Sequence, residues 1–123
     1  MLNNQLGLTS QIKVSLVIPV SVKDIEKFIF LIESLKKNID YTYEIIAVIN
    51  NCSYLKKNLN IDQLKNITNG KLINIFKNEK LCPGEARNIG LNLSKGNYIA
   101  FLDVNTIPES NWLENSLKLL VNN

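Results

Sequence analysis

The segment Gly84-Glu85-Ala86-Arg87-Asn88-Ile89-Gly90 leads, after a few helical turns, into Tyr98-Ile99-Ala100-Phe101-Leu102, which stops at Asp103-Val104-Asn105. The first run reads as the polar entry of a helix. Pro83 suits its first turn, and Cys82, Ala86, Ile89 and Leu93 fall on one face. The second run is a short apolar strand with an acid at its carboxyl end. A polar helix entry and an acid-tipped buried strand meet on one edge of a sheet, the edge where open α/β sheets bind ligands.

The same alternation continues upstream. Lys13-Val14-Ser15-Leu16-Val17-Ile18 is mostly β-branched and is closed by Pro19, which predicts a buried strand. Ser21 and Asp24 have the spacing of a capping box ahead of Ile25, Phe28, Ile29, Ile32 and Leu35 at helical spacing. Tyr43 to Ile49 reads as a second apolar strand ending in the turn-forming Asn50-Asn51-Cys52-Ser53. Residues 54–69 are polar and Asn-rich, with apolar positions that suggest a short or broken helix, and Lys71 to Phe76 reads as a third strand.

Gly96 is expected to close the helix after Pro83 as a C-terminal glycine, and Tyr98 to Leu102 is the fourth strand. Thr106 and Glu109 form a second capping box around Pro108, opening a helix that carries Trp112, Leu113, Ser116, Leu117 and Leu120. Residues 1–12 read as a polar leader, and no boundary divides residues 13–123. Apolar strands alternating with helices predict an α/β domain: a mainly parallel four-stranded sheet with helices on both faces.

A chain of 123 residues with 46% hydrophobic content supports one core and one domain. The net charge of +3 comes from 14 basic and 11 acidic residues scattered along the chain, without the basic stripe of a nucleic-acid binder. No stretch approaches the ~18 apolar residues of a membrane span, and the N-terminus lacks the basic start and apolar core of a signal peptide. A cytoplasmic location is expected, with peripheral membrane association left open. Cys52 and Cys82 stand apart in a chain without histidine, so no zinc or redox motif is present and two ordinary thiols are expected. All the basic residues but Arg87 are lysine, and its guanidinium offers a planar fork for phosphate that an ammonium cannot copy.

Val14-Ser15-Leu16-Val17-Ile18-Pro19-Val20, Glu44 to Val48, Gly84 to Gly90, and Tyr98 to Asp103 followed by Pro108 and Trp112-Leu113-Glu114 together resemble the family 2 glycosyltransferases. The likeness runs from residue 13 to 120 in order and spacing. It implies a Rossmann-like GT-A half domain that binds a nucleotide sugar of the UDP or GDP type. By the same resemblance, Pro19, Val20, Asn50, Asn51, Arg87, Asn88, Asp103 and Asn105 would surround the nucleotide. The family's DxD motif reads Asp103-Val104-Asn105 here, so Asp103 and Asn105 would hold a divalent cation, Mg or Mn. With an amide in place of one carboxylate, that ion would be weakly held if at all.

Ile49 stands where the family has a base-reading acid, which passes base recognition to Asn50, Asn51 or the backbone. Ser21-Val22 replaces an aromatic-polar pair. The family's catalytic base lies well beyond the DxD segment, in an acceptor-binding half expected to be absent from this chain. A homodimer or a second chain would then cover the missing half. Glycosyl transfer from a nucleotide sugar is the leading expectation, with this isolated chain expected to be inactive. The alternatives are a non-catalytic binding or interaction module of the same fold, and another α/β nucleotide-binding protein such as a nucleotidyltransferase. Individually, Arg87 could be a solvated cation, Asp103 a strand-end cap, Trp112 core packing, and Gly84 and Gly90 sites of backbone geometry and close helix packing.

Overall fold

The computed structural model describes residues 14–38, 43–54, 72–106, 112 and 115. The expected leader, residues 55–69, Glu109 of the second expected capping box and most of the helix expected after it lie outside the described residues.

Four strands form one sheet: β1 (Val14–Ser21), β2 (Tyr43–Asn50), β3 (Leu72–Phe76) and β4 (Tyr98–Phe101). Their spatial order is β3-β2-β1-β4 and every neighbouring pair is parallel. Among the described residues, the helices α1 (Ile25–Asn38) and α2 (Pro83–Leu93) flank it. Among the described residues no helix is long and apolar enough to cross a membrane.

The period-2 alternation of the strands sends each side chain to one of two cores. Val14, Leu16, Ile18 and Val20 of β1 and Tyr43, Ile45, Ala47 and Ile49 of β2 are buried in one cluster with Phe28, Leu31, Ile32 and Leu35 of α1. Trp112 packs on this cluster, as its helical spacing predicts. Ile46 and Val48 of β2 face the other way, against Ala86 and Ile89 of α2. Each fully buried aliphatic side chain contributes about 1.5–3 kcal/mol. Gly90 lets α2 lie directly on β1, since a methyl group there would overlap the Val17 Cγ1 atom.

β1 extends past its expected end, running through Pro19 to Ser21. The reason lies in the alternation. The Val17 carbonyl accepts from the Leu102 N–H at 3.0 Å, so Val17 and, two residues on, Pro19 direct their backbone toward β4. The last paired residue of β4 is Phe101, opposite Val17, so the N–H that proline lacks falls where no strand remains to receive it.

Two expected caps take other forms. Ser21 makes no side-chain cap, and the chain enters α1 through a single 3-10 turn over Val22–Asp24. α2 ends at Leu93, where Ser94 Oγ donates to the Gly90 carbonyl at 2.8 Å; Gly96 lies beyond it. Gly96 instead presses on β1, where a Cβ would come within 2.7 Å of the Ser15 nitrogen. A buried polar cluster fixes that contact. Gly96 N donates to Ser15 Oγ at 2.8 Å, while Ser15 Oγ and Lys95 N both donate to Glu44 Oε2 at 2.6 and 2.7 Å. Glu44 is thus a buried carboxylate that takes both bonds on Oε2, at the sheet edge opposite the strand tips.

Candidate functional site

The chain leaves β1 for β2 and β3 on one side and places β4 on the other, which makes the gap between the tips of β1 and β4 a topological switch point. A cleft of about 330 Å³ opens there. That volume lies at the lower end of the range of small-molecule sites.

Alternation decides which strand-tip residues reach it. Pro19 and Ser21 of β1, Asn50 of β2, and Asp103 and Asn105 after β4 line the cleft, while their neighbours Val20 and Ile49 are fully buried in the α1 core. Val20 therefore does not line the cleft. The inward turn of Ile49 has a further consequence: an acid at position 49 would point into the apolar core, and the cleft-facing position at this tip is 50. From α2 come Pro83, Ala86 and Arg87. Asn88, one residue on, is exposed and Asn51 is half-buried, and both lie outside the cleft lining.

Asn50 is 6% exposed and both ends of its amide are engaged. Nδ2 donates to the Val20 carbonyl at 3.2 Å, and Oδ1 accepts from the Leu81 N–H at 3.3 Å. Asn50, one of the groups to which base recognition would pass, is thus the pin that joins the β1 tip to the loop before α2. Asn51 adopts a left-handed backbone, φ 61°, which asparagine tolerates, and its N–H donates to the Glu79 carbonyl at 2.8 Å.

Asp103 and Asn105 form one hydrogen-bonded turn. Asp103 Oδ1 accepts from Asn105 N at 2.9 Å and from Asn105 Nδ2 at 3.1 Å, and the Asp103 carbonyl accepts from Thr106 N at 3.0 Å. The remaining end of the Asn105 amide, Oδ1, accepts from Lys27 Nζ at 3.1 Å. The amide oxygen expected to face a divalent cation faces an ammonium. As a donor set for such an ion, the pair offers one carboxylate oxygen clear of these bonds, Asp103 Oδ2. No group of three His, Cys, Asp or Glu side chains among the described residues could hold a metal. The residues present do not fit a divalent ion in this arrangement.

Electrostatically the cleft favours an anion. Lys23, Lys80 and Arg87 line it together with only two carboxylates, Asp24 and Asp103. Arg87 has no ion-pair partner among the described residues, so its fork is available to a ligand. Sequence placed Asp24 only in a capping box and did not mark Lys23 or Lys80, because nothing distinguishes these two among the chain's other lysines except that each follows a strand tip.

Beside the cleft, Cys82 N donates to Glu85 Oε1 at 3.1 Å. That bond holds the Glu85 carboxyl below its ordinary range, and the hydrogen bond to Glu85, with its negative charge, pushes the Cys82 thiol up. Burial pushes the Cys52 thiol up as well. Neither cysteine is an activated nucleophile.

Residues 15–123 match the sequence profile of the family described as Glycosyl transferase family 2. An uncharacterized glycosyltransferase of Rickettsia bellii (strain RML369-C) is 38% identical over 111 residues, covering 90% of this chain and 15% of that relative. Among solved structures, S. aureus TarS 1-349 matches with a TM-score of 0.71 at 20% identity, over 90% of this chain and 33% of that one. TarS 1-349 in complex with UDP matches with a TM-score of 0.71 at 22% identity, over 90% of this chain and 32% of that one. At such identities the solved structures establish a shared fold. The chain spans a small part of the curated relative and about a third of these two structures.

Proposed function

The chain belongs to glycosyl transferase family 2, and from that premise we propose that the cleft between the β1 and β4 tips binds the diphosphate of a nucleotide sugar, donor for transfer to an acceptor hydroxyl. The observation that carries this reading is the placing of Lys23, Lys80 and Arg87 around a cleft at the switch point. Three cations against two carboxylates leave a local excess of positive charge where a diphosphate would lie.

Each lining residue has a part in that scheme. The Arg87 guanidinium takes two phosphoryl oxygens at once, and Lys23 and Lys80 add point charges at the rim. Pro19, Leu81 and Leu102 supply apolar walls for the nucleoside, and Asp103 Oδ2 is left to accept from a ribose hydroxyl. Because the Asn50 side chain is engaged, base recognition falls to backbone groups around it. During transfer, negative charge grows on the departing diphosphate, and cations already fixed around it stabilise that charge without reorganising.

The test is calorimetric titration with UDP and with GDP, UDP first because TarS of the same fold was captured with it. Binding is expected, with Arg87→Ala weakening it about tenfold or more. Absence of heat with either nucleotide at millimolar concentration would end the donor-site reading. A second reading, a binding module without transfer, draws on the amide at Asn105. It predicts nucleotide binding with no release of sugar from the donor.

A further inference from the structure

We propose that the Lys27 ammonium supplies the positive charge that a divalent cation would otherwise bring to this sheet edge, so that nucleoside diphosphate binding here is independent of divalent metal. The inference rests on the donor-site reading above.

The argument starts from the Asn105 amide. Its nitrogen donates to Asp103 Oδ1 at 3.1 Å and its oxygen accepts from Lys27 Nζ at 3.1 Å. A carboxylate only accepts and an ammonium only donates, so the orientation of the amide is fixed by its partners: reversing it would set NH₂ against NH₃⁺ and oxygen against oxygen. Asn105 is thereby a bridge between Asp103 and Lys27. A divalent ion coordinated by Asn105 Oδ1 would have to displace the ammonium or stand beside it, with like charges a few ångströms apart.

Charge bookkeeping points the same way. Two carboxylates at positions 103 and 105 would balance one divalent ion. Only one carboxylate stands at these two positions, and the Lys27 ammonium, which also pairs with Asp24, stands against the amide at the other. Magnesium asks for near-octahedral oxygen ligation, and this turn offers one carboxylate oxygen clear of the bonds described.

Lys27 is also placed to act on a ligand. It stands in the first turn of α1, with its side chain 59% exposed. Its pairing to Asp24, the one ion pair among the described residues, is loose at 3.9 Å. Asn105, on which the ammonium rests, lines the cleft between the β1 and β4 tips, while Lys27 lines the adjoining groove with Phe30. Asn105 lines both, so a phosphoryl oxygen that reached Asn105 would meet the ammonium bonded to it.

The test is UDP titration of the 123-residue chain in EDTA and in Mn²⁺, for wild type, Lys27→Met and Lys27→Arg. The expected result is a wild-type Kd that agrees within about twofold in the two buffers. Lys27→Met should weaken binding about tenfold in EDTA, with Lys27→Arg recovering most of it. A direct Mn²⁺ titration followed by electron paramagnetic resonance gives a readout without nucleotide. Wild type should leave the free-ion signal unchanged, whereas the double variant Lys27→Met/Asn105→Asp should reduce it. Thermal melts of the variants should match wild type, since Lys27 lies outside both cores.

UDP binding that appears only with Mn²⁺, or a Lys27→Met variant that binds as wild type in EDTA, overturns the inference while the donor reading stands. Failure to bind UDP or GDP in either buffer removes both.

Discussion

Asn50→Ala would separate scaffold from recognition at the heart of the cleft. The substitution deletes two hydrogen bonds, to the Val20 carbonyl at 3.2 Å and from the Leu81 N–H at 3.3 Å. The Val20 carbonyl side of the pair is buried, so its loss should cost about 1–2 kcal/mol; the Leu81 N–H is partly wet and its loss should cost about 1 kcal/mol. The sum, about 2–3 kcal/mol, corresponds to a fall in Tm of about 8–12 °C for a chain of this size. Urea denaturation followed by fluorescence reads it directly, because Trp112 is the only tryptophan and packs on the α1 core. Asn50→Asp keeps the acceptor for Leu81 but turns an oxygen toward the Val20 carbonyl. It should therefore be destabilised at neutral pH and partly recover in acid, where a protonated carboxyl can donate again. A loss below about 0.5 kcal/mol for Asn50→Ala, the size of an ordinary surface change, would refute the view that this amide is a pin.

Two other outcomes follow from the same packing and electrostatics. Gly90→Ala should destabilise by about 1–3 kcal/mol through its overlap with Val17, and Val17→Ala in the same chain should restore part of the loss; equal stability of Gly90→Ala and wild type in urea would sink the close-packing argument. Glu85 has a folded pKa below its ordinary 4.5, so its cap on α2 is fully present above that value and is lost as pH falls through the lower folded one. Glu85→Gln should flatten this acid sensitivity and also speed alkylation of Cys82 at mildly alkaline pH, because the carboxylate is what holds that thiol protonated. Iodoacetamide labelling measures the second effect, and an unchanged rate would contradict it.

The alternation of apolar strands and helices was legible because it reflects burial on both sheet faces, a property of each segment alone. The side of β1 taken by β4 was not, since nothing local to Tyr98–Phe101 encodes its neighbour. Pro19 looked like a terminator because a missing N–H forbids a ladder bond. The shortness of β4 removed that objection, and only the assembled sheet shows it. Gly96 looked like a helix terminator for an equally local reason, yet its hydrogen atom is needed for contact with Ser15, distant in sequence. Pro19, Arg87, Asp103 and Asn105, far apart in sequence, line one cleft. Val20 and Ile49 point into the core by strand parity, and the Asn50 amide is engaged by backbone groups of two other segments. Lys27 escaped notice because one lysine among thirteen carries no local mark, and its meeting with Asn105 joins residues 78 positions apart.

The central claim is that the cleft between the β1 and β4 tips is the nucleotide site. Amide chemical-shift mapping of the isotopically labelled chain during UDP titration tests it most directly. Saturable shifts should concentrate on Ser21, Asn50, Arg87, Asp103 and Asn105, and spare Glu44, Lys95 and Gly96 at the opposite edge of the sheet. Shifts confined to that opposite edge, or none up to millimolar UDP and GDP, would contradict the account.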